Sequence, residues 1–245
     1  TVLINPIVDL ISNDADNIIC EGDPIIFTGS NASSYEFFVD GASVQGPSTD
    51  FTLNNPAIAP GPHTVIVTGT AGNGCTDDSP SINITVNATP NITLTSSDPN
   101  DTICAGETVV FTGTGGDMYQ FFLNGTPQGS MSPTATFSAN NLLNGQTVTI
   151  NGSLLGCPNT SNAITTVVNP VPSLGLTSTD IDNIYCDGDI VTYTATGAND
   201  YEFFINGTSQ GAPSPVNTIN SSGFGTGSLT LEVVGDINNC FDTTS

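Results

Sequence analysis

One stretch of sequence occurs three times in the chain, and this repeat constrains the fold more than any other feature. The copies lie at residues 12–41, 96–125 and 178–207. Each contains an acidic lead-in, a cysteine, a short apolar segment and the motif Tyr-x-Phe-Phe, and the tyrosine follows the cysteine at the same distance in every copy. A fixed period of this kind predicts an array of similar structural units.

The repeat divides the 245 residues into three predicted domains, at 7–88, 89–170 and 171–245, which are called repeats 1, 2 and 3 below. Residues 1–6 read T-V-L-I-N-P and match the ends of repeats 1 and 2. We therefore expect them to be the last strand of a preceding repeat. Repeat 3 stops before this closing strand and is predicted to be incomplete, so both ends imply a longer parent array.

The pattern within each repeat is typical of short β-strands. Apolar β-branched and aromatic residues alternate with polar ones, turn signals recur at short and regular intervals, and helical periodicity is absent. The aromatic segment ends in Asp-Gly or Asn-Gly, which favours a tight hairpin. These features predict an all-β fold of tandem β-sandwiches, with about seven strands in each. Tyr-x-Phe-Phe is interpreted as core, with an aromatic ligand cradle as the alternative.

Six cysteines are distributed as two per repeat, and the separation of the two is nearly the same in all three repeats. A nearly constant separation favours one disulfide inside each repeat and an oxidising compartment. Zinc is the alternative, but the sequence has no Cys-x-x-Cys pair and only one histidine. The predicted disulfides are Cys20–Cys75, Cys104–Cys157 and Cys186–Cys240.

The charge excludes several classes of partner. The chain has no lysine or arginine, 23 acidic residues and one histidine, for a formal charge of −23. Such a chain cannot neutralise phosphate, so neither nucleic acid nor an anionic membrane surface is an expected partner. No apolar run is long enough to span a membrane. Apart from the termini, only His63 could form an ion pair within the chain, and most acids are expected to keep the surface solvated.

The acidic lead-ins are the candidate metal sites. Alternating carboxylate and amide oxygens in a short loop suit Ca²⁺, and a cation there could stiffen a junction between repeats. The alternative is an Asx-rich turn, in which the side chains bind nearby backbone amides. Asp23, Glu107 and Asp189 are candidate additional ligands. The primary candidate ligands are Asp14, Asp16, Asn17, Asp98, Asn100, Asp101, Asp180, Asp182 and Asn183.

Nothing in the sequence predicts catalysis. No nucleophile elbow, P-loop or His-Glu-x-x-His motif occurs. His63 has no counterpart in repeats 2 and 3, and we expect it to be an exposed loop residue. The chain is therefore predicted not to be an enzyme.

The residues also resemble a known family. The pattern C-x-G-[DE]-x-[VI]-x-[FY]-T, then Y-[EQ]-F-F-[VLI]-[DN]-G and a single later cysteine, is similar to immunoglobulin-like (PKD-like) repeats of giant Bacteroidota cell-surface adhesins. The best-known examples are SprB-like gliding-motility adhesins, which the type IX secretion system exports. The resemblance implies an immunoglobulin-like fold and an extracellular location at the bacterial cell surface. It also implies a filament of stacked repeats that adheres to surfaces or polysaccharide, with neighbouring repeats as its first partners.

Two other functions remain open. One is a carbohydrate-binding or spacer module of an exported polysaccharide-degrading enzyme, which would require an exposed aromatic platform. The other is a subunit of an extracellular fibre or sheath, which would exchange strands between molecules at the truncated ends.

Overall fold

A computed structural model describes residues 2–54 and 56–245, and in these residues every regular element is a β-strand. Three hydrophobic cores follow one another along the chain, each enclosed between facing β-sheets. The predicted all-β sandwich class is confirmed. Thr1, the first residue of the predicted preceding strand, lies outside the described residues, and residues 2–8 form no strand. The exact domain boundaries stay predictions.

Repeat 1 consists of two facing sheets. One has the order β1-β3-β6, and the other has the order β2-β9-β7-β4-β5, with β8 also paired to β7. The strands are β1 (Asp9–Ser12), β2 (Ile18–Cys20), β3 (Ile26–Ser30), β4 (Ser34–Val39), β5 (Ala42–Ser48), β6 (Thr52–Asn54), β7 (Gly61–Thr70), β8 (Thr76–Asp78) and β9 (Ile82–Asn87).

Repeat 2 follows the same plan. The strands are β10 (Thr93–Ser96), β11 (Thr102–Cys104), β12 (Val109–Thr114), β13 (Met118–Leu123), β14 (Thr126–Pro127), β15 (Thr136–Ala139), β16 (Thr147–Leu154), β17 (Cys157–Thr160), β18 (Ile164–Thr165) and β19 (Val167–Asn169). One sheet is β10-β12-β15, a second is β14-β13-β16-β17 with β18 paired to β16, and β11 pairs with β19.

Repeat 3 has fewer strands. They are β20 (Gly175–Ser178), β21 (Thr192–Thr196), β22 (Asp200–Ile205), β23 (Thr208–Ser209), β24 (Thr218–Asn220), β25 (Leu231–Ile237) and β26 (Cys240–Thr244). They form the sheets β20-β21-β24 and β23-β22-β25-β26. The described residues of repeat 3 contain no counterpart of β2 and β9.

The first strand of repeats 1 and 2 is divided between the two sheets. In repeat 1, β1 pairs antiparallel with β3, the acidic lead-in then crosses to the other sheet, and β2 pairs parallel with β9. The last paired residues are Cys20 and Asn87. Cys20 therefore lies at the end of the sandwich at which β9, the last strand of repeat 1, terminates. This end is called the trailing end below. The opposite end is called the leading end.

Tyr-x-Phe-Phe forms part of each core, as predicted. In β4, Tyr35 and Phe37 are buried and Phe38 faces the other side of the sheet, where it is half-buried. The same pattern occurs in β13 and β22 because side chains alternate between the two faces of a strand. The following Asp-Gly and Asn-Gly pairs have positive φ at both residues, as a tight hairpin turn requires.

Each buried tyrosine also holds the turn that precedes its strand. The Tyr119 hydroxyl accepts a hydrogen bond from the Gly116 N–H at 3.0 Å and donates one to the Gly116 carbonyl oxygen at 2.6 Å. Tyr35 binds Ala32 in the same way, and Tyr201 binds Ala198. One side chain thus satisfies both polar groups of one peptide residue in every repeat.

We expect the Tyr119→Phe variant to lower the free energy of unfolding by about 1–2 kcal/mol, because it leaves the partly buried N–H and C=O of Gly116 without their partner. Chemical denaturation followed by far-ultraviolet circular dichroism measures this loss. Tyr35→Phe and Tyr201→Phe serve as replicates in the other repeats. Three variants as stable as the parent would show that water replaces the hydroxyl at no cost.

Candidate functional site at the repeat junctions

The disulfides join neighbouring repeats, and the predicted pairing within each repeat is wrong. Cys20 of repeat 1 is bonded to Cys157 of repeat 2, with 5.5 Å between their Cα atoms. Cys104 of repeat 2 is bonded to Cys240 of repeat 3, with 5.6 Å between their Cα atoms. The first cysteine of one repeat therefore pairs with the second cysteine of the next. Cys75 and Cys186 have no disulfide partner in the described part of the chain.

The strand arrangement explains why pairing within a repeat fails. Cys20 lies at the trailing end of repeat 1, whereas Cys75 lies in the turn after β7, at the leading end. The 10 residues of β7 separate these ends by roughly 30 Å at about 3.3 Å a residue. Disulfide-bonded residues have Cα atoms within about 7 Å of each other. The trailing end of one repeat meets the leading end of the next, which brings Cys20 and Cys157 together.

An asparagine adds a second, non-covalent link at each junction. The Asn87 side-chain amide, at the end of β9, donates a hydrogen bond to the Leu155 carbonyl oxygen in the turn before Cys157, at 3.3 Å. Asn169 makes the same contact with the Asn238 carbonyl oxygen at 3.2 Å. This role of the asparagines was not predicted from the sequence. The signal was present, since an asparagine ends the last strand of repeats 1 and 2.

The acidic lead-ins form local turns. The Asp98 carboxylate accepts hydrogen bonds from the backbone amides of Asn100 and Thr102, and the Asn100 side-chain oxygen also accepts one from Thr102. In repeat 1, Asp14 and Asp16 both accept from the Ile18 amide. The lead-in of repeat 3 repeats this arrangement, with Asp180 and Asp182 accepting from the Ile184 amide. The last lead-in residues, Asn17, Asp101 and Asn183, have φ of 55–56°.

The three candidate additional ligands are also engaged in turns. Asp23 accepts a hydrogen bond from the Cys20 amide at 3.1 Å, and Glu107 accepts one from the Cys104 amide at 3.1 Å. Asp189 binds the Cys186 amide at 3.3 Å. These carboxylates close the turn after each cysteine and so fix the backbone at the trailing end.

The lead-in of repeat 2 faces the following repeat. Asp98 and Asn100 line a cleft of about 290 Å³ together with Asn238 and Asn239 of repeat 3, beside the Cys104–Cys240 disulfide. Within residues 2–54 and 56–245, no group of three or more His, Cys, Asp or Glu side chains is arranged to hold a metal ion. Calcium binding at the lead-ins stays a prediction, and a calcium titration that follows the melting temperature tests it.

His63 lies in β7 rather than in an exposed loop, so that expectation is wrong. Its Nδ1 is 2.6 Å from the Asp40 carboxylate, and its Nε2 is 2.7 Å from the Ala59 carbonyl oxygen. Both ring nitrogens face an acceptor, which favours the doubly protonated ring. The hydrogen bond to Asp40 raises the pKa of His63. The pKa of Asp40 is lowered, first by the Thr64 amide and then by His63.

These shifts predict a pH dependence of stability. The contribution of His63 is fully present below the ordinary pKa of 6.5 and is lost as the pH rises through the raised value. The contribution of Asp40 is present above 3.8 and is lost as the pH falls through the lowered value. We therefore expect Asp40→Asn to lower the melting temperature by a few degrees at about pH 5, and by less above the pKa of His63.

Thermal denaturation over a series of pH values measures this difference. Asp187→Asn is the matched control, because it removes one negative charge at an exposed position and should give a difference that does not follow the titration of His63. Equal pH profiles for the two variants would contradict a stabilising ion pair.

The comparisons with known proteins show likeness in structure. No protein-family profile matches the chain, and no curated protein matches it significantly. The fold is similar to a 1.5-MDa bacterial ice-binding adhesin at 16% identity and a TM-score of 0.38, over 98% of this chain and 96% of that chain. It is also similar to the N-terminal eight immunoglobulin domains of Down syndrome cell adhesion molecule, at 11% identity and a TM-score of 0.46, over 97% of this chain and 41% of that chain.

A third similar structure is that of the fibronectin(III)-like modules of Clostridium thermocellum CbhA, at 15% identity and a TM-score of 0.38, over 66% of this chain and 95% of that chain. These likenesses concern the fold only. In the described residues, no helix is long and apolar enough to cross a membrane. The divided first strand, the parallel pairing of β2 with β9 and the paired sheets of each core identify an all-β chain of tandem immunoglobulin-like β-sandwich domains.

Proposed function

We propose that the chain is a non-enzymatic segment of an extracellular stalk, in which each repeat is fastened to the next so that an adhesive surface is held away from the cell. The observation that carries this proposal is the pair of disulfides between neighbouring repeats, Cys20–Cys157 and Cys104–Cys240. The disulfide and the peptide linker together join neighbouring repeats by two covalent connections. Relative rotation of the repeats is thereby restricted.

Chemistry and charge support an extracellular place for such a stalk. Disulfides persist in oxidising compartments outside the cytosol. A chain with 23 acidic residues and no lysine or arginine repels its own parts, which favours an extended shape. The single histidine is engaged by Asp40 and Ala59. We therefore infer no catalytic role for the chain and a location at the cell surface.

The adhesive role, the bacterial surface and gliding motility are the finer parts of the proposal. They follow the resemblance to giant surface adhesins, and a surface polysaccharide is the partner class proposed with them. The carbohydrate-binding alternative needs an exposed aromatic platform. The recurring aromatic motif is largely buried, since Tyr35, Tyr119 and Tyr201 are each no more than 7% exposed. The stalk is therefore the function we favour.

Small-angle X-ray scattering with and without reductant tests the stalk. We expect an extended particle whose pair-distance distribution is unchanged in the Cys75→Ser variant. It should broaden when both disulfides are reduced or when Cys20 and Cys157 are replaced by serine. A particle that is compact in both redox states, or equally flexible in both, would contradict the proposed stiffening.

A further inference from the structure

The disulfide between repeats 1 and 2 lies beside the peptide linker that joins them. The last strand of repeat 1 ends at Asn87, and the first strand of repeat 2 begins at Thr93. Residues 88–92 are therefore the backbone connection between the two sandwiches. Cys20 and Cys157 bridge the same junction, with 5.5 Å between their Cα atoms. The junction thus has two covalent routes, and a different kind of reaction breaks each of them.

The linker is open to a protease where it leaves repeat 1. Ala88 and Thr89 are exposed and belong to no strand. The Thr89 N–H donates a hydrogen bond to the Glu21 carboxylate at 3.4 Å, the upper limit for such a bond. Cleavage after residue 88 leaves both sandwiches whole, because their hydrophobic cores share no residue. An exposed connecting segment of this kind is a preferred site of proteolysis in a folded protein.

The disulfide is less accessible than the linker. Cys157 is 1% exposed and Cys20 is half-buried. Next to Cys20, the Glu21 N–H donates a hydrogen bond to the Asn87 carbonyl oxygen at 2.8 Å, which holds this turn against the end of β9. A thiolate reduces a disulfide only when it reaches one of the sulfurs, so attack is expected from the side of Cys20. A protease and a reductant therefore act on separate parts of the junction.

The second junction has the same construction. Residues 170–174 connect β19 with β20, and the Cys104–Cys240 disulfide bridges the two repeats. Cys104 also lies within the loop that Cys20 and Cys157 close. A single backbone cut at any point between Cys20 and Cys240 therefore leaves the two pieces joined by at least one disulfide.

Pairing within each repeat would not protect the linkers. A disulfide confined to one repeat does not bridge the segment between that repeat and the next, so one cut in this segment would separate the stalk into two pieces. The observed disulfides bridge both segments. Covalent continuity after cleavage is thus a property of the pairing between repeats.

The non-covalent contacts across the junction are weak. The hydrogen bond from the Asn87 side chain to the Leu155 carbonyl oxygen is exposed, and such a bond contributes little to association because water competes for both groups. The acidic residues of the two repeats have no lysine or arginine to offset them, so the repeats repel each other. Once both covalent routes are broken, the repeats are expected to separate.

We propose that the outer part of the stalk is released only when a junction is both cleaved in its linker and reduced at its disulfide. Cleavage alone leaves repeats 1 and 2 joined by Cys20–Cys157, and reduction alone leaves them joined by residues 88–92. In the reduction, a dithiol attacks the disulfide, forms a mixed disulfide and then closes to its own disulfide. Its two electrons and two protons pass to the two cysteine sulfurs, which become thiols. This inference deepens the proposed stalk by stating how it is released, and it rests on that proposal for its biological setting.

A single trypsin site tests the proposal, because the chain has no lysine or arginine of its own. Ala88→Arg creates this site in the linker at an exposed position. After trypsin treatment we expect one band of full mass on a denaturing, non-reducing gel. Reduction should give two bands, residues 1–88 and 89–245. Under native conditions the cut chain should sediment as one particle without reductant and as two smaller particles with a dithiol, and the uncut chain should stay one particle in both.

Ser81→Arg provides a second trypsin site, in the exposed segment between β8 and β9. The observed disulfide bridges this site as well, whereas pairing within repeat 1 would leave it open. The matched control is Ala88→Arg combined with Cys20→Ser and Cys157→Ser, in which trypsin alone should give two bands without reductant.

Three results would overturn the proposal. They are two bands from the Ala88→Arg chain on the non-reducing gel, a cut and reduced chain that still sediments as one particle, and resistance of both introduced sites to trypsin in the folded chain. A chain that needs both reactions for release but is equally flexible in both redox states would contradict the stalk alone. A stiff chain that cleavage alone separates would contradict the release alone, so the two proposals fail separately.

Discussion

Replacing Cys20 and Cys157 together with serine is expected to lower the free energy of unfolding by about 2–5 kcal/mol, because the disulfide closes a loop that the unfolded chain would otherwise leave open. The two bonded residues are 137 positions apart in sequence. The loss should appear as a lower denaturation midpoint and a greater exposure of the junction to proteases. Proteases that cleave at acidic residues are required, since the chain has no lysine or arginine for trypsin.

The matched control is Cys75→Ser, measured at a concentration at which the chain is a monomer. Because Cys75 has no disulfide partner in the described part of the chain, this variant should change stability by no more than about 0.5 kcal/mol. Pairing inside repeat 1 would give the opposite result, since loss of Cys75 would then cost as much as loss of Cys20. The comparison of the two variants therefore decides between the two disulfide patterns.

Phe111→Ala is expected to lower the free energy of unfolding of repeat 2 by about 3–5 kcal/mol, which is typical when a buried phenylalanine is truncated. The Phe111 side chain is fully buried. Its ring stacks on Phe137 at 6.3 Å between centroids, and Phe137 also contacts Phe121 at 5.6 Å. Removing it leaves a cavity between the two sheets, where the surrounding strands are held by their hydrogen bonds and cannot close the space.

The equivalent change in repeat 3 provides the control. Tyr193 occupies the same position but is half-buried, and its ring stacks on Phe224 at 6.4 Å between centroids. Tyr193→Ala should cost clearly less than Phe111→Ala in denaturation of the single chain. Equal losses would show that the cost of truncation does not follow the burial of the ring in the two repeats.

The fold was predictable from the sequence because its signals are local. Alternation in the Tyr-x-Phe-Phe strand depends only on the period of a β-strand, and the Asn-Gly pairs set the hairpin turns by their own backbone preferences. The tyrosine contacts with the preceding turn lie three residues away and repeat in all units. These features need no knowledge of where distant segments lie.

The disulfide pattern was not predictable from spacing because spacing cannot distinguish the two solutions. The separation of Cys20 from Cys75 recurs almost unchanged in the other repeats. The two observed disulfides are just as regular, with sequence separations of 137 and 136. Any disulfide pairing that is the same in every repeat gives a constant separation of the bonded cysteines in the sequence. The path of the lead-in decides the disulfide pairing. It crosses from one sheet to the other and so places the first cysteine at the trailing end. This path depends on the parallel pairing of β2 with β9, which are far apart in sequence.

The two disulfide loops overlap, since Cys104 lies inside the loop closed by Cys20 and Cys157, and this overlap limits how far the chain can lengthen under tension. A pulled chain without cross-links extends by about 3.3–3.6 Å for each unfolded residue. In this chain the disulfides shorten the covalent path between residues 1 and 245. The path runs along residues 1–20, crosses the first disulfide, runs back along residues 157–104, crosses the second disulfide and ends along residues 240–245. These segments together hold about a third of the 245 residues. Even when force unfolds every repeat, the disulfides therefore limit the length to which the chain can extend.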